Sequence, residues 1–226
     1  MNIPDSSQKR IVIIGGGFAG VTLAQKLNHK GFQVVLIDKQ NYHTFQPLLY
    51  QVATGGLEAG SIAYPLRKVI QGFSNFYFRM TSVKEIDTQN HKIISEIGEL
   101  RYDYLVIATG SKTNFFGNKE IERNAMSMKT IPQSLNIRSF ILENFEQAVL
   151  TKDVNERNAL MNFVLVGAGP TGVELAGALA EMKKEILQKD YPDLDIQKMQ
   201  INLIQSNDRV LNTMSEKSSI ASEKFL

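Results

Sequence analysis

One pattern occurs twice in this chain and limits what it can fold into. "IVIIGGGFAG" (Ile11–Gly20) and "FVLVGAGPTG" (Phe163–Gly172) each place a short apolar run directly before a G-x-G-x-x-G turn. After the first turn, Val21, Leu23, Ala24 and Leu27 recur at helical spacing. A strand-sized apolar run that ends in glycine and opens into a helix is a strand–turn–helix unit. Each glycine in the turn has its own task. The first permits the tight turn, the second lets backbone approach a ligand without a Cβ in the way, and the third lets the helix pack close to the strand. A chain that carries the unit twice is expected to be α/β, with two Rossmann-like three-layer domains. The first would occupy residues 1–112, and the second residues 113–226.

The rest of the chain reads around these units. Arg10–Ile14 is a buried strand, 18–28 a helix with Gly31 just past its end, and 32–37 a second strand closing on Asp38. Proline is favoured at a first helical position, so a helix is expected from Pro65 to about Gln71. "NFYFRMTSVKEID" (75–87), "HKIISE" (91–96) and "LRYDYLVIAT" (100–109) read as strands, the first two joined as a hairpin around "TQN". Helices are expected over 132–150 and 170–187, strands over 163–166 and 201–204, and a polar tail that can be helical over 215–226. Between them lies "KQNYHTFQPLLYQVATGGLEAGS" (39–61), a long connection of aromatic, amide and small residues. It lines a flat apolar ligand, or it is a surface excursion packed by its own side chains.

Composition excludes several chemistries. The net charge of +2 and the absence of any Lys/Arg block give no reason to expect nucleic acid. No cysteine is present, so no disulfide exchange or iron–sulfur cluster can be built from these residues. The three histidines, His29, His43 and His91, have no partners at metal-ligand spacing, and no metal site is expected. The start "MNIPDSSQKR" is polar and runs straight into a strand, which points to a cytoplasmic location.

The glycine turns point to phosphate. A helix start presents unpaired N–H groups and the positive end of the helix dipole, and both favour a pyrophosphate. Asp38 ends the second strand about 20 residues past the first turn, where a carboxylate accepts hydrogen bonds from an adenosine ribose. Gly15, Gly17 and Gly20 form one cradle and Gly167, Gly169 and Gly172 the other, with Pro170 opening the second helix. Two dinucleotides in a chain with no other redox group suggest a flavin and a nicotinamide held for hydride transfer. The small residues of "ATG" (108–110) would let backbone approach a second cofactor.

Together, "RIVIIGGGFAG", "LIDKQNYHTFQPLLYQVATGGL", "YDYLVIATGS" and "FVLVGAGPTGVELAGALAE" resemble the type II NADH:quinone oxidoreductases, single-subunit flavoproteins with two dinucleotide-binding domains. The resemblance implies that Gly15, Gly16, Gly17, Phe18, Ala19 and Gly20 wrap the FAD pyrophosphate. It implies that Asp38 holds the adenosine ribose with Lys39 beside it, that the backbone of Val83 meets the adenine, and that Thr109 and Gly110 border the FAD. Gly167, Gly169, Pro170, Thr171 and Gly172 would cradle NADH. Glu174 matches an acid near the reacting rings; without the resemblance it is an exposed glutamate complementing the helix dipole.

The chain departs from the family pattern in two places. The family's second NADH-domain strand usually ends in glutamate, whereas this one ends in "INLIQS", with Gln205. An amide hydrogen-bonds a ribose but does not repel a 2′-phosphate, so NADPH would be accepted beside NADH, or Gln205 is a neutral replacement. Arg209 follows, offset by Asp208. The second departure is length. The returning flavin segment, the quinone-facing residues and the C-terminal amphipathic helices expected of the family are not among residues 1–226, so the second domain would be incomplete at its C-terminus. The resemblance therefore implies the N-terminal portion of a non-proton-pumping respiratory enzyme, inactive by itself. When complete it would be a homodimer, peripheral on the inner face of the plasma membrane, passing electrons to quinone. A cysteine-free reductase with a soluble acceptor and a non-catalytic dinucleotide-binding fragment are the alternatives.

Overall fold

The computed structural model describes every residue, Met1–Leu226, and the chain divides into two compact units. The first comprises Met1–Phe45 and Gly60–Asn114; the second comprises Gln46–Ala59 and Phe115–Leu226. In chain order the elements are β1 (Arg10–Ile14), α1 (Phe18–Leu27), β2 (Gln33–Asp38), β3 (Tyr42–Thr44), α2 (Leu49–Ala53), β4 (Ala63–Pro65), α3 (Leu66–Val69), β5 (Phe76–Met80), β6 (Val83–Asp87), β7 (Lys92–Ser95), β8 (Gly98–Arg101) and β9 (Tyr104–Ile107). Then follow α4 (Lys119–Asn124), α5 (Ile131–Leu150), α6 (Val154–Leu160), β10 (Asn162–Val166), α7 (Pro170–Met182), α8 (Gln188–Asp190), β11 (Gln200–Ile204) and α9 (Glu216–Glu223).

The first unit has three layers because the residues of β1 and β2 are apolar on both faces. Successive strand side chains point to opposite sides. Ile11, Ile13, Val34 and Leu36 pack with Ala24 of α1, Leu66 of α3 and Phe78 of β5. Val12, Ile14, Val35 and Ile37 face the other way, onto Ile93 of β7 and Leu100 of β8. The central sheet is parallel in the order β5-β2-β1-β9, and an antiparallel sheet, β6-β7-β8, forms the third layer.

Two runs read as single strands are each divided between these sheets. In 75–87 the break falls at Thr81, whose N–H donates to the Asp38 carbonyl (2.9 Å) as β5 ends and the chain turns into β6. In 100–109 the change comes between neighbouring amides. The Tyr102 N–H donates to His91 O (2.8 Å) in the hairpin layer, while the Asp103 N–H donates to Arg10 O (2.9 Å) beside β1. The first break falls at the polar pair Thr81-Ser82 and the second between Tyr102 and Asp103; a polar step this short does not separate two strands in the pattern. The expected hairpin around "TQN" is present as β6–β7.

The second unit builds its core between helices and a two-stranded parallel sheet, β10–β11. Helix α5 starts at a capping box: Thr130 accepts from the Gln133 N–H, and the Gln133 side chain returns to the Thr130 N–H. Its buried stripe, Ile137, Ile141, Phe145 and Ala148, meets Phe163 of β10 and Leu175, Leu179 and Met182 of α7. Two short helices that the apolar spacing does not announce, α4 and α6, are capped by Asn118 and Asp153, whose side chains each accept two backbone N–H groups. The opposite face of β10–β11 carries Val164, Val166 and Ile204, each more than half exposed. The connection 39–61 is not an excursion packed only on itself. Its helix α2 contacts α5 and α7, and Ala53 is fully buried in the second unit's core.

Phe145 is fully buried, whereas Phe140, five residues earlier on the same helix, is 48% exposed. Phe145→Ala is expected to cost about 3–5 kcal/mol in a urea unfolding experiment, and Phe140→Ala less than about 1 kcal/mol.

Candidate functional site

The first glycine turn sits where the sheet order reverses. The chain steps from β1 outward to β2 and β5, then returns to the other side of β1 as β9. In open α/β sheets, ligands bind in the crevice at the carboxyl ends of strands at this switch point. Gly15 has φ +112°, and a Cβ on it would lie 2.2 Å from Ala108 O, just past β9. No side chain fits there. Gly17 caps α1 in extended backbone, and a Cβ on it would have no neighbour within 4 Å, which leaves an open face for a ligand. A Cβ on Gly20 would lie 1.8 Å from Gly15 O. The helix start therefore rests on the carbonyl of the turn's own first glycine.

The side chains around the turn hold its backbone. The Gly16 N–H donates to Asp38 Oδ2 (2.6 Å), and the other Asp38 oxygen accepts from the Gln40 N–H (2.8 Å). A carboxylate offers about four lone-pair sites, so Asp38 keeps acceptor capacity after both bonds. A Cβ on Gly16 would meet Leu66 Cδ1 at 2.6 Å. His43 Nδ1 donates to Gly16 O (3.0 Å), and the Phe18 ring stands edge-on to His43 and Phe45, with centroids 5.0 and 5.6 Å apart. The Thr109 backbone borders Gly15, and Gly110 follows at φ +71°. Ala19 and Lys39 are exposed. Val83 opens β6, two residues after the Thr81 that is bonded to Asp38.

The structure thus gathers Gly15–Gly20, Asp38 and Thr109 at one sheet end. It adds His43, Phe45 and Leu66, which the sequence reading did not single out. The 39–61 stretch drew attention by its composition, but no spacing rule ties residue 43 to residue 16.

The second turn repeats the strand-to-turn bond and the helix seating of the first. The Gly167 N–H donates to Ile204 O at 2.7 Å, as the Gly15 N–H donates to Ile37 O at 2.7 Å. Gly167 has φ +105°, a Cβ on Gly169 would meet nothing within 4 Å, and one on Gly172 would lie 1.9 Å from Gly167 O. Pro170 opens α7, where its missing N–H costs no hydrogen bond. Thr171 is exposed beside it. The Ala168 N–H donates to Gln205 Oε1 (3.0 Å), the counterpart of the bond from Gly16 to Asp38. Arg209 is folded back into its own loop, its Nη2 donating to the carbonyls of Asn212 and Met214.

Glu174 lies on α7 one turn past Pro170. Desolvation by the surrounding protein raises its carboxyl above the usual glutamate value. Both turns end at helix N-termini whose free N–H groups and dipoles suit an anion, and both leave their second glycine uncovered.

Gly17 and Gly20 separate the two demands on the turn. Gly17→Ala is expected to unfold within about 0.5 kcal/mol of the parent, since its backbone is extended and its Cβ site is open. Gly20→Ala is expected to lose at least about 2 kcal/mol, because a backbone carbonyl occupies the space. Chemical denaturation of the two variants checks the contrast.

Residues 9–226 match the family model for pyridine nucleotide-disulphide oxidoreductases. The chain is 39% identical over 212 residues to the type II NADH:quinone oxidoreductase Ndh of Mycobacterium tuberculosis, covering 92% of this chain and 46% of that protein. It is 34% identical over 238 residues to a mitochondrial external alternative NAD(P)H-ubiquinone oxidoreductase B1 of Solanum tuberosum, covering 99% of this chain and 41% of that one. Among solved structures, NDH2 from Plasmodium falciparum in complex with NADH superposes with a TM-score of 0.88 at 26% identity, over 96% of this chain and 45% of that one. The chain spans less than half the length of these relatives. Its doubled strand–turn–helix architecture and its match to the family model from residue 9 onward lead to one conclusion: the chain belongs to the pyridine nucleotide-disulphide oxidoreductase family.

Proposed function

We propose that this chain supplies the FAD- and NADH-binding parts of an FAD-dependent NADH:quinone oxidoreductase. The observation that carries the reading is the pair of equivalent turns, one in each unit, each with its second glycine open. The similarity to type II NADH:quinone oxidoreductases and to a structure containing NADH supports it. In this reading residues 1–112 are the FAD-binding domain and residues 113–226 the NAD(P)H-binding domain.

Bound FAD supplies a two-electron carrier that takes hydride from NADH and passes electrons to a quinone. The chain's own work is binding and orientation. The backbone from Gly15 to Gly20, including Phe18 and Ala19, receives the FAD pyrophosphate at the start of α1. Asp38 accepts from the ribose with its remaining lone pairs, Lys39 stands beside it, and the Val83 backbone meets the adenine. Thr109 and Gly110 close the other side of the turn. In the second unit, Gly167, Gly169, Pro170, Thr171 and Gly172 receive NADH at the start of α7. Glu174 is the catalytic candidate: a carboxyl raised by desolvation holds or releases a proton closer to neutrality than an ordinary glutamate. Quinone binding, homodimer formation and peripheral attachment to the inner face of the plasma membrane belong to the complete enzyme. No helix of this chain is long and apolar enough to cross a membrane.

The test is anaerobic mixing of NADH with the FAD-loaded complete enzyme of which these residues form the N-terminal part. Loss of the yellow flavin absorbance is expected, and NADH that binds without reducing the flavin would contradict the redox reading. Glu174→Gln is expected to slow that reduction at least tenfold while FAD stays bound; equal loss of both, or of neither, would remove Glu174 from the chemistry.

Gln205 sets the nucleotide preference in this reading. Its Oε1 is occupied by the Ala168 N–H, so its amide presents donors where a carboxylate would present negative charge. An uncharged end of β11 accepts NADPH beside NADH. Gln205→Glu is expected to shift the ratio of NADH to NADPH affinity about tenfold toward NADH, equivalent to about 1.4 kcal/mol. Titration of the two nucleotides by fluorescence reads the ratio.

A further inference from the structure

We propose that His43 is a positioning residue for the first pyrophosphate cradle: its Nδ1–H holds the Gly16 carbonyl and so aims the Gly17 N–H. The inference rests on the reading that this cradle binds FAD. A carbonyl oxygen only accepts, so the 3.0 Å contact between His43 Nδ1 and Gly16 O requires the proton on Nδ1. The peptide joining Gly16 to Gly17 is planar and trans, and its C=O and N–H point in opposite directions. Turning the carbonyl toward His43 turns the Gly17 N–H away from it. That N–H belongs to the cap residue of α1, among the donors a helix start offers an anion.

The neighbouring peptide is held as well, by the bond from the Gly16 N–H to Asp38 Oδ2. Gly16 itself cannot swing toward α3, because Leu66 fills the space a Cβ would need. Two side chains therefore grip the two peptides on either side of one α-carbon.

The second unit holds the equivalent residue in the same two places. Ala168 occupies the place of Gly16. Its N–H is held by Gln205 Oε1, and its carbonyl accepts from the Leu211 N–H at 2.8 Å. The same carbonyl is tied down in both units, once by backbone and once by an imidazole. His43 can take this role because its own backbone is fixed. It lies in the centre of β3, paired with Tyr64 of β4, and its ring is braced edge-on by Phe18, the first residue of α1.

Three measurements test the assignment. The long-range proton–nitrogen spectrum of the His43 imidazole, recorded on the chain without added cofactor, should show the Nδ1–H tautomer; the Nε2–H tautomer would overturn the proposal. His43→Phe keeps the edge-on ring contact but removes the donor, and FAD affinity is expected to fall about three- to tenfold. His43→Asn places an amide N–H where Nδ1 stood and should restore most of that loss, while NADH affinity stays unchanged in both variants. Unaltered FAD affinity in His43→Phe, or equal weakening in both variants, would refute the role. A parent chain that binds no FAD would refute the cofactor reading instead, and the tautomer would still decide whether His43 holds the turn.

Discussion

The contact on which the structure depends is the seating of a helix on the carbonyl of its own turn. At Gly20 a Cβ would come within 1.8 Å of Gly15 O, and at Gly172 within 1.9 Å of Gly167 O. Only hydrogen at those positions lets α1 and α7 lie close enough to β1 and β10 to share their cores. That closeness brings Ala24 onto Ile11 and Ile13, and Leu175 and Leu179 onto Phe163. It also leaves the first N–H groups of both helices at the end of a strand, facing outward. Close packing and an outward-facing helix start thus come from one steric fact.

The two turns share their backbone hydrogen bonds and differ in what holds them. The first is held by an aspartate and a histidine, the second by a glutamine and a backbone amide. A carboxylate at the end of β2 and an amide at the end of β11 make electrostatically different neighbourhoods for a ribose. An anionic end disfavours a further phosphate, whereas a neutral end does not. One backbone construction is therefore left with an anionic side chain beside it in the first unit and a neutral one in the second.

Much of the site was legible because its signal is local. Gly15, Gly17 and Gly20 lie within six residues, and Asp38 is bound to them by the fixed geometry of one strand–helix–strand passage. Gln205 stands in the same relation to the second turn. His43 was not legible in the same way. It reaches Gly16 through the β3–β4 ribbon, and no spacing rule spans that path. The divided strands at 81–83 and 102–103 were hidden for a related reason. Only a short polar step marks each break, and hydrophobic pattern records burial but not which sheet provides it. The helices α4 and α6 did leave a signal, in the caps Asn118 and Asp153, but their apolar stripes are too short to stand out.

Sequence alone determined that this chain is α/β, that it carries two glycine turns opening into helices, and where each turn and the polar side chain at the end of its second strand lie. Those features follow from residues close in the chain, where steric limits on glycine and the periods of helix and strand act directly. Tertiary structure decided the rest. It divided two strand-like runs between sheets, sent the 46–59 segment into the second unit's core, folded Arg209 back into its own loop, and set His43 on Gly16. Each of these depends on which groups compete for one buried partner or one carbonyl oxygen, and that competition is resolved only when distant parts of the chain meet.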